Sequence, residues 1–140
     1  MAEPSLLRFA VLPVFERGNG IKTVVYSCKE IGAKITSGVT RFPAGTGIPL
    51  HTHNCDEQTT VLEGDAEVEI DGKRQRLVAW DTAFIPEGSH HRFANVGTDT
   101  MSILWVYNRP DVTRTFSETG ETVPHLSPRD VANLRPRPTG

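Results

Sequence analysis

The chain has 140 residues, with 15 Lys and Arg against 17 Asp and Glu, and a formal net charge of −2 at pH 7. That length suits one domain, able to bury roughly two thirds of the surface of its unfolded chain, and the charge balance argues against nucleic acid or an anionic membrane as partner. Its apolar runs fall far short of the ~20 residues that span a bilayer, the N-terminus lacks the pattern of a secretory signal, and Cys28 and Cys55 make no disulfide framework. The expectation is a cytoplasmic protein with free thiols.

In chain order, residues 6–15 form an apolar-rich first segment, broken by Gly18, Asn19 and Gly20. Residues 22–27 and 34–42 read as the next strands, the latter closed by Pro43, Ala44 and Gly45. Ala66, Val68 and Ile70 alternate with Glu67 and Glu69, the period of a half-buried strand. Asp71-Gly72 supplies a hairpin turn, and residues 73–77 return with Arg74 and Arg76 facing the glutamates. Residues 82–86, 91–96, 101–107 and 112–116 read as further strands, with 101–107 the most apolar and central. Ser127 and Pro128 mark the cap and first position of a short helix, before a loose tail at 135–140. Many short strands with close turns predict an all-β sandwich or barrel.

The chemistry concentrates in "GTGIPLHTHNCDEQTTVLEG", residues 45–64. His51 and His53 are two apart, so on a strand both imidazoles point to one side. Asn54, Cys55 and Asp56 turn the chain and bring Glu57 back toward the same point. His90 and His91 are adjacent and face opposite ways; His91 shares its face with Phe93, which selects it as the inward residue. The set His51, His53, Glu57 and His91 suits one divalent transition metal: iron, manganese, nickel, zinc or copper. The competing reading is four unrelated polar residues on loops. Thr59, Val61, Phe84, Phe93 and Trp105 are candidate pocket walls, and Arg41 is a candidate for holding a substrate carboxylate if it points inward. Cys55 reads as a turn residue, and His125 as a surface residue outside the site.

These spacings resemble the cupin superfamily, in its small single-domain metal-binding form. Gly45, His51, His53, Glu57 and Gly64 match the first motif, and Pro86, Gly88, His91 and Asn95 match the second. Trp80 stands where the second motif opens with glycine. The resemblance implies one antiparallel jelly-roll β-barrel domain over 1–140, with motifs at 45–64 and 80–95 and a C-terminal extension at 117–140. It also implies a homodimer, and an exposed edge at 6–15 would favour such pairing. Two function classes follow. One is a metal-dependent enzyme acting on a small organic molecule, as a non-haem dioxygenase or a Lewis-acid isomerase or lyase. The other is a small-ligand binding or sensor module with a structural metal or none.

Overall fold

The computed structural model describes residues 2–133; the tail expected at 135–140 lies outside them. The fold is a jelly-roll of two antiparallel sheets, not hydrogen-bonded to each other into one closed barrel. One sheet runs β1 (Val14–Gly18), β2 (Ile21–Val25), β3 (Thr36–Phe42), β10 (Met101–Tyr107), β5 (Glu57–Glu63) and β8 (Thr82–Ile85). The other runs β12 (Thr122–Pro124), β11 (Thr113–Phe116), β4 (His51–His53), β9 (His91–Asn95), β6 (Ala66–Ile70) and β7 (Lys73–Leu77). A short helix α1 (Pro128–Asn133) follows, its turn closed by the Asp130 N–H donating to Ser127 Oγ.

Alternation decides what each strand buries. In β6, Ala66 and Val68 face inward while Glu67 and Glu69 stand opposite Arg76 and Arg74 of β7. β7 is polar and exposed from Lys73 to Arg76, which blunts this sheet edge. β10 lies between β3 and β5, as its apolar run predicts, and Met101, Ile103, Trp105 and Tyr107 are buried. Trp105 fits because its partner across the ladder is Gly38. A Cβ at Gly38 would lie 2.4 Å from the Val24 carbonyl oxygen and 2.5 Å from the indole. Ile21, Phe42, Val61, Ile85 and Phe93 complete the core between the sheets.

One expectation is corrected. Residues 6–15 are not one strand: Phe9–Val11 makes a 3-10 turn and β1 starts only at Val14. Pro13 has no N–H for a ladder and fits the break. β12 adds a strand that the local sequence pattern does not signal. It is a three-residue edge strand ending in proline, and only its pairing with β11 creates it.

Trp80 adopts φ 77°, the left-handed region that glycine enters most easily. The turn is kept despite the bulky residue. The Trp80 N–H donates to the Val61 carbonyl, and Asp81 Oδ2 accepts from the Val78 N–H. The indole points out and is 78% exposed.

Candidate metal centre

The four predicted ligands come from both sheets. His51 and His53 lie on β4, His91 lies directly opposite His51 on β9, and Glu57 opens β5 in the other sheet. All four are at least 95% buried. One donor atom from each lies within 4.8 Å of the other three. The turn that delivers Glu57 is tied down by its own side chains. Asn54 Nδ2 donates to the Asp111 carbonyl, Asn54 Oδ1 accepts from the Thr113 N–H, and Asp56 Oδ1 accepts from the Glu87 N–H.

The protons on this cluster can be assigned from its partners. Nδ1 of His51, His53 and His91 faces the carbonyl oxygens of Pro49, Thr113 and Ser89 at 2.7, 2.9 and 2.9 Å. A carbonyl only accepts, so each Nδ1 carries a proton and each Nε2 is turned inward. His51 Nε2 and His53 Nε2 are then 3.1 Å apart, and two bare nitrogen lone pairs repel at that distance. His91 Nε2 and His53 Nε2 lie 3.0 and 3.4 Å from Glu57 Oε1. A shared cation relieves this arrangement, so the donor set fits a borderline divalent metal.

Charge states agree. Burial holds His51 well below the usual imidazole range, with Arg114 and the neighbouring imidazoles adding to the effect. Burial brings His53 down to about 3, against a partial opposing pull from Glu57. For His91, burial opposes protonation, but the Glu57 charge and hydrogen bond prevail and raise its pKa. Burial alone would raise Glu57, yet His91, with His53 and Thr59 adding, brings its carboxyl to about 2. The cluster is thus built to keep a carboxylate and two neutral imidazoles at neutral pH.

Next to the ligands is a cavity of about 20 Å³, room for roughly one water-sized group. His51, Glu57, Phe93 and Trp105 line it, together with Arg17, Thr40, Tyr107, Arg114 and His125. Of the candidate walls, Phe93 and Trp105 line this cavity. Thr59 lies behind the site, donating a hydrogen bond to Glu57 Oε2. Val61 is buried in the core away from the cavity lining. Phe84 is 62% exposed, because alternation along β8 buries Ala83 and Ile85 instead. Arg41 points outward to Glu63 and Ser102, because Thr40 and Phe42 take the inward face of β3. Cys55 is buried and its thiol is pushed up to about 12, chiefly by burial, so it stays a neutral core residue.

His90 is exposed and bonds Ser117 Oγ, away from the cluster. His125 is outside the ligand set but nearer than expected. Its ring packs 5.1 Å from Trp105, 5.3 Å from Tyr107 and 6.3 Å from His53. The fold of the 117–133 segment brings it there, and no local pattern signals it. Tyr107 stands opposite Glu57 in the ladder, and its ring centre packs, tilted, 4.6 Å from that of His53. Burial, reinforced by the charge of Glu57, raises its phenol well above the ordinary value, so it remains protonated.

The chain is 27% identical over 123 residues to quercetin 2,3-dioxygenase of Bacillus subtilis, a match covering 87% of this chain and 36% of that protein. It is 25% identical over 116 residues to auxin-binding protein 1 of Arabidopsis thaliana, covering 76% of this chain and 56% of that protein. The chain therefore spans between about a third and little more than half of these curated relatives. A sugar phosphate isomerase structure of the cupin superfamily from Silicibacter pomeroyi superposes with a TM-score of 0.70 at 22% identity, covering 86% of each chain, a likeness of fold. The cupin domain family model (Cupin_2) matches residues 38–107, half of the sequence, and on that match the chain belongs to the cupin domain family.

Proposed function

We propose that the chain is a metal-dependent enzyme acting on a small organic molecule, with His51, His53, Glu57 and His91 holding one divalent transition ion. The observation that carries this reading is the set of three inward Nε2 atoms, each oriented by a backbone carbonyl, grouped with the Glu57 carboxylate. Such an ion, when bound, supplies Lewis-acid or oxygen-directed redox chemistry. The rest belongs to the chain's own residues. Phe93, Ile103 and Trp105 give the cavity an apolar wall that limits water. Tyr107 stays protonated beside His53, where its hydroxyl can donate a hydrogen bond to a bound group. The dioxygenase named among the relatives favours oxidation over isomerisation or elimination.

A binding or sensor module is the second reading, supported by the small cavity and by the binding protein among the relatives. In either case the working unit is a homodimer, supported by the sheet edge at β1, where Val14 and Phe15 are exposed.

Metal analysis of purified protein tests the site. His51→Ala and His91→Ala should each lose most bound metal while circular dichroism still reports the β fold. His90→Ala should retain it. Full metal content in both His51→Ala and His91→Ala would refute the assignment, and oxygen uptake on metal loading separates the enzyme from the module.

A further inference from the structure

We propose that Arg17 and Arg114 form a carboxylate-binding site in the cavity wall beside the histidine cluster, so that the molecule this cavity accepts carries a carboxylate. The proposal deepens the enzyme reading by naming a substrate class. Both arginines are only 3% exposed and both line the cavity with His51 and Glu57.

Their placement is specific. Arg114 lies directly opposite His53 in the β11–β4 ladder, on the inward face that it shares with Phe116. Arg17 sits at a β-bulge: Glu16 pairs with Lys22 and Gly18 with Ile21, leaving Arg17 without a register partner. The bulge turns its side chain inward from a strand whose preceding residues are exposed. Bulges re-aim side chains in this way near functional sites.

Their hydrogen bonding is incomplete. Arg114 Nη1 donates to Asp130 Oδ1 at 2.9 Å, and Arg17 Nη1 donates to Thr23 Oγ1 at 3.2 Å. Arg17 Nη2 lies 3.6 Å from Asp130 Oδ2, close enough for an ion pair but without a hydrogen bond. Arg17 Nε, Arg17 Nη2 and Arg114 Nε are buried donors with no hydrogen-bond partner. Buried polar groups are nearly always satisfied, so three such donors on two residues that line one cavity point to a partner the chain itself does not supply.

The chemistry of that ligand follows. Two guanidinium charges face the single carboxylate of Asp130, leaving one positive charge in excess. Nε and Nη2 form one edge of the Arg17 guanidinium, the parallel pair of donors that matches the two oxygens of a carboxylate. The polar side of the cavity continues through Thr40, whose Oγ1 accepts from Trp105 Nε1 and contacts Thr23 Oγ1 at 2.9 Å. The cavity's volume of about 20 Å³ is that of one water-sized group, so a carboxylate on this edge requires the lining side chains to give way.

The test is a formate titration of the ¹⁵N-labelled full chain, metal-free and zinc-loaded, at fixed ionic strength balanced with chloride. Formamide serves as the neutral isostere. Formate should shift the Nε–H resonances of Arg17 and Arg114 saturably, while formamide and chloride leave them in place. Arg17→Gln should weaken formate binding at least tenfold. Arg17→Lys keeps the cation but loses the two-donor edge, and should weaken it similarly. Resonances unmoved by formate, equal shifts with chloride, or unchanged formate affinity in a folded Arg17 variant would overturn the proposal. Zinc content measured in the same samples keeps the readings separate. Formate binding without zinc binding refutes the metal site alone, and zinc binding without formate binding refutes the carboxylate site alone.

Discussion

Asp130→Asn perturbs the one carboxylate that compensates both buried arginines. Asp130 is fully buried; its Oδ1 accepts from Arg114 Nη1 at 2.9 Å and its Oδ2 from the Leu126 N–H at 2.7 Å, with Arg17 Nη2 at 3.6 Å. Asparagine keeps the size but removes the charge. It also replaces one acceptor by an NH₂ donor, which must then face either the Arg114 guanidinium or the Leu126 N–H. Removing one partner of a buried ion pair costs about 3–5 kcal/mol, because the remaining charge is left uncompensated. That is a large share of the roughly 5–15 kcal/mol that holds a domain together. Equilibrium urea unfolding, followed by far-UV circular dichroism, should therefore show a loss of about 3–5 kcal/mol. Glu16→Gln is the control, since its exposed partner Lys22 is 4.0 Å away and screened by solvent, and the urea midpoint should stay where it is. A loss below about 1 kcal/mol for Asp130→Asn would refute the argument that two charged guanidiniums depend on this carboxylate.

The metal-free protein should lose stability as pH falls from 7 to 4. His51, His53 and His125 have lowered folded pKa values, so each takes up a proton on unfolding below about 6.5, whereas raised His91 is protonated in both states there. Glu57, lowered to about 2, adds a further loss below pH 4.5. A thermal midpoint flat between pH 7 and 5 would contradict this, and bound metal should reduce the slope because protons must then compete with it. Trp80→Gly should stabilise the fold by about 0.5 kcal/mol, since relief of the left-handed backbone slightly exceeds glycine's entropy cost; thermal denaturation with a lower midpoint would count against it. Sedimentation at micromolar concentration should report a dimer, and a Val14→Lys variant on the β1 edge should shift it toward monomer.

Much of the site was legible from period-two reasoning. His51 and His53 two apart, and His91 with Phe93, each report a shared strand face from local geometry alone, and the structure gathers those residues with Glu57. The same rule, applied to Thr40 and Phe42, would have turned Arg41 outward. Applied to Phe116, it would have turned Arg114 inward, a direction that the general exposure of arginine conceals. Arg17 had no such signal. Its direction depends on a bulge, which exists only because β1 pairs out of step with β2. His125, Tyr107 and Asp130 meet the site through contacts between distant segments, set by the packing of β12 and α1 and by the ladder between β10 and β5. The sequence by itself determined which face each regular strand buries, because side-chain alternation is a property of a few consecutive residues. Only the tertiary structure decided which buried charges face one another, because register, bulges and sheet packing come from hydrogen bonds and contacts between residues far apart in the chain.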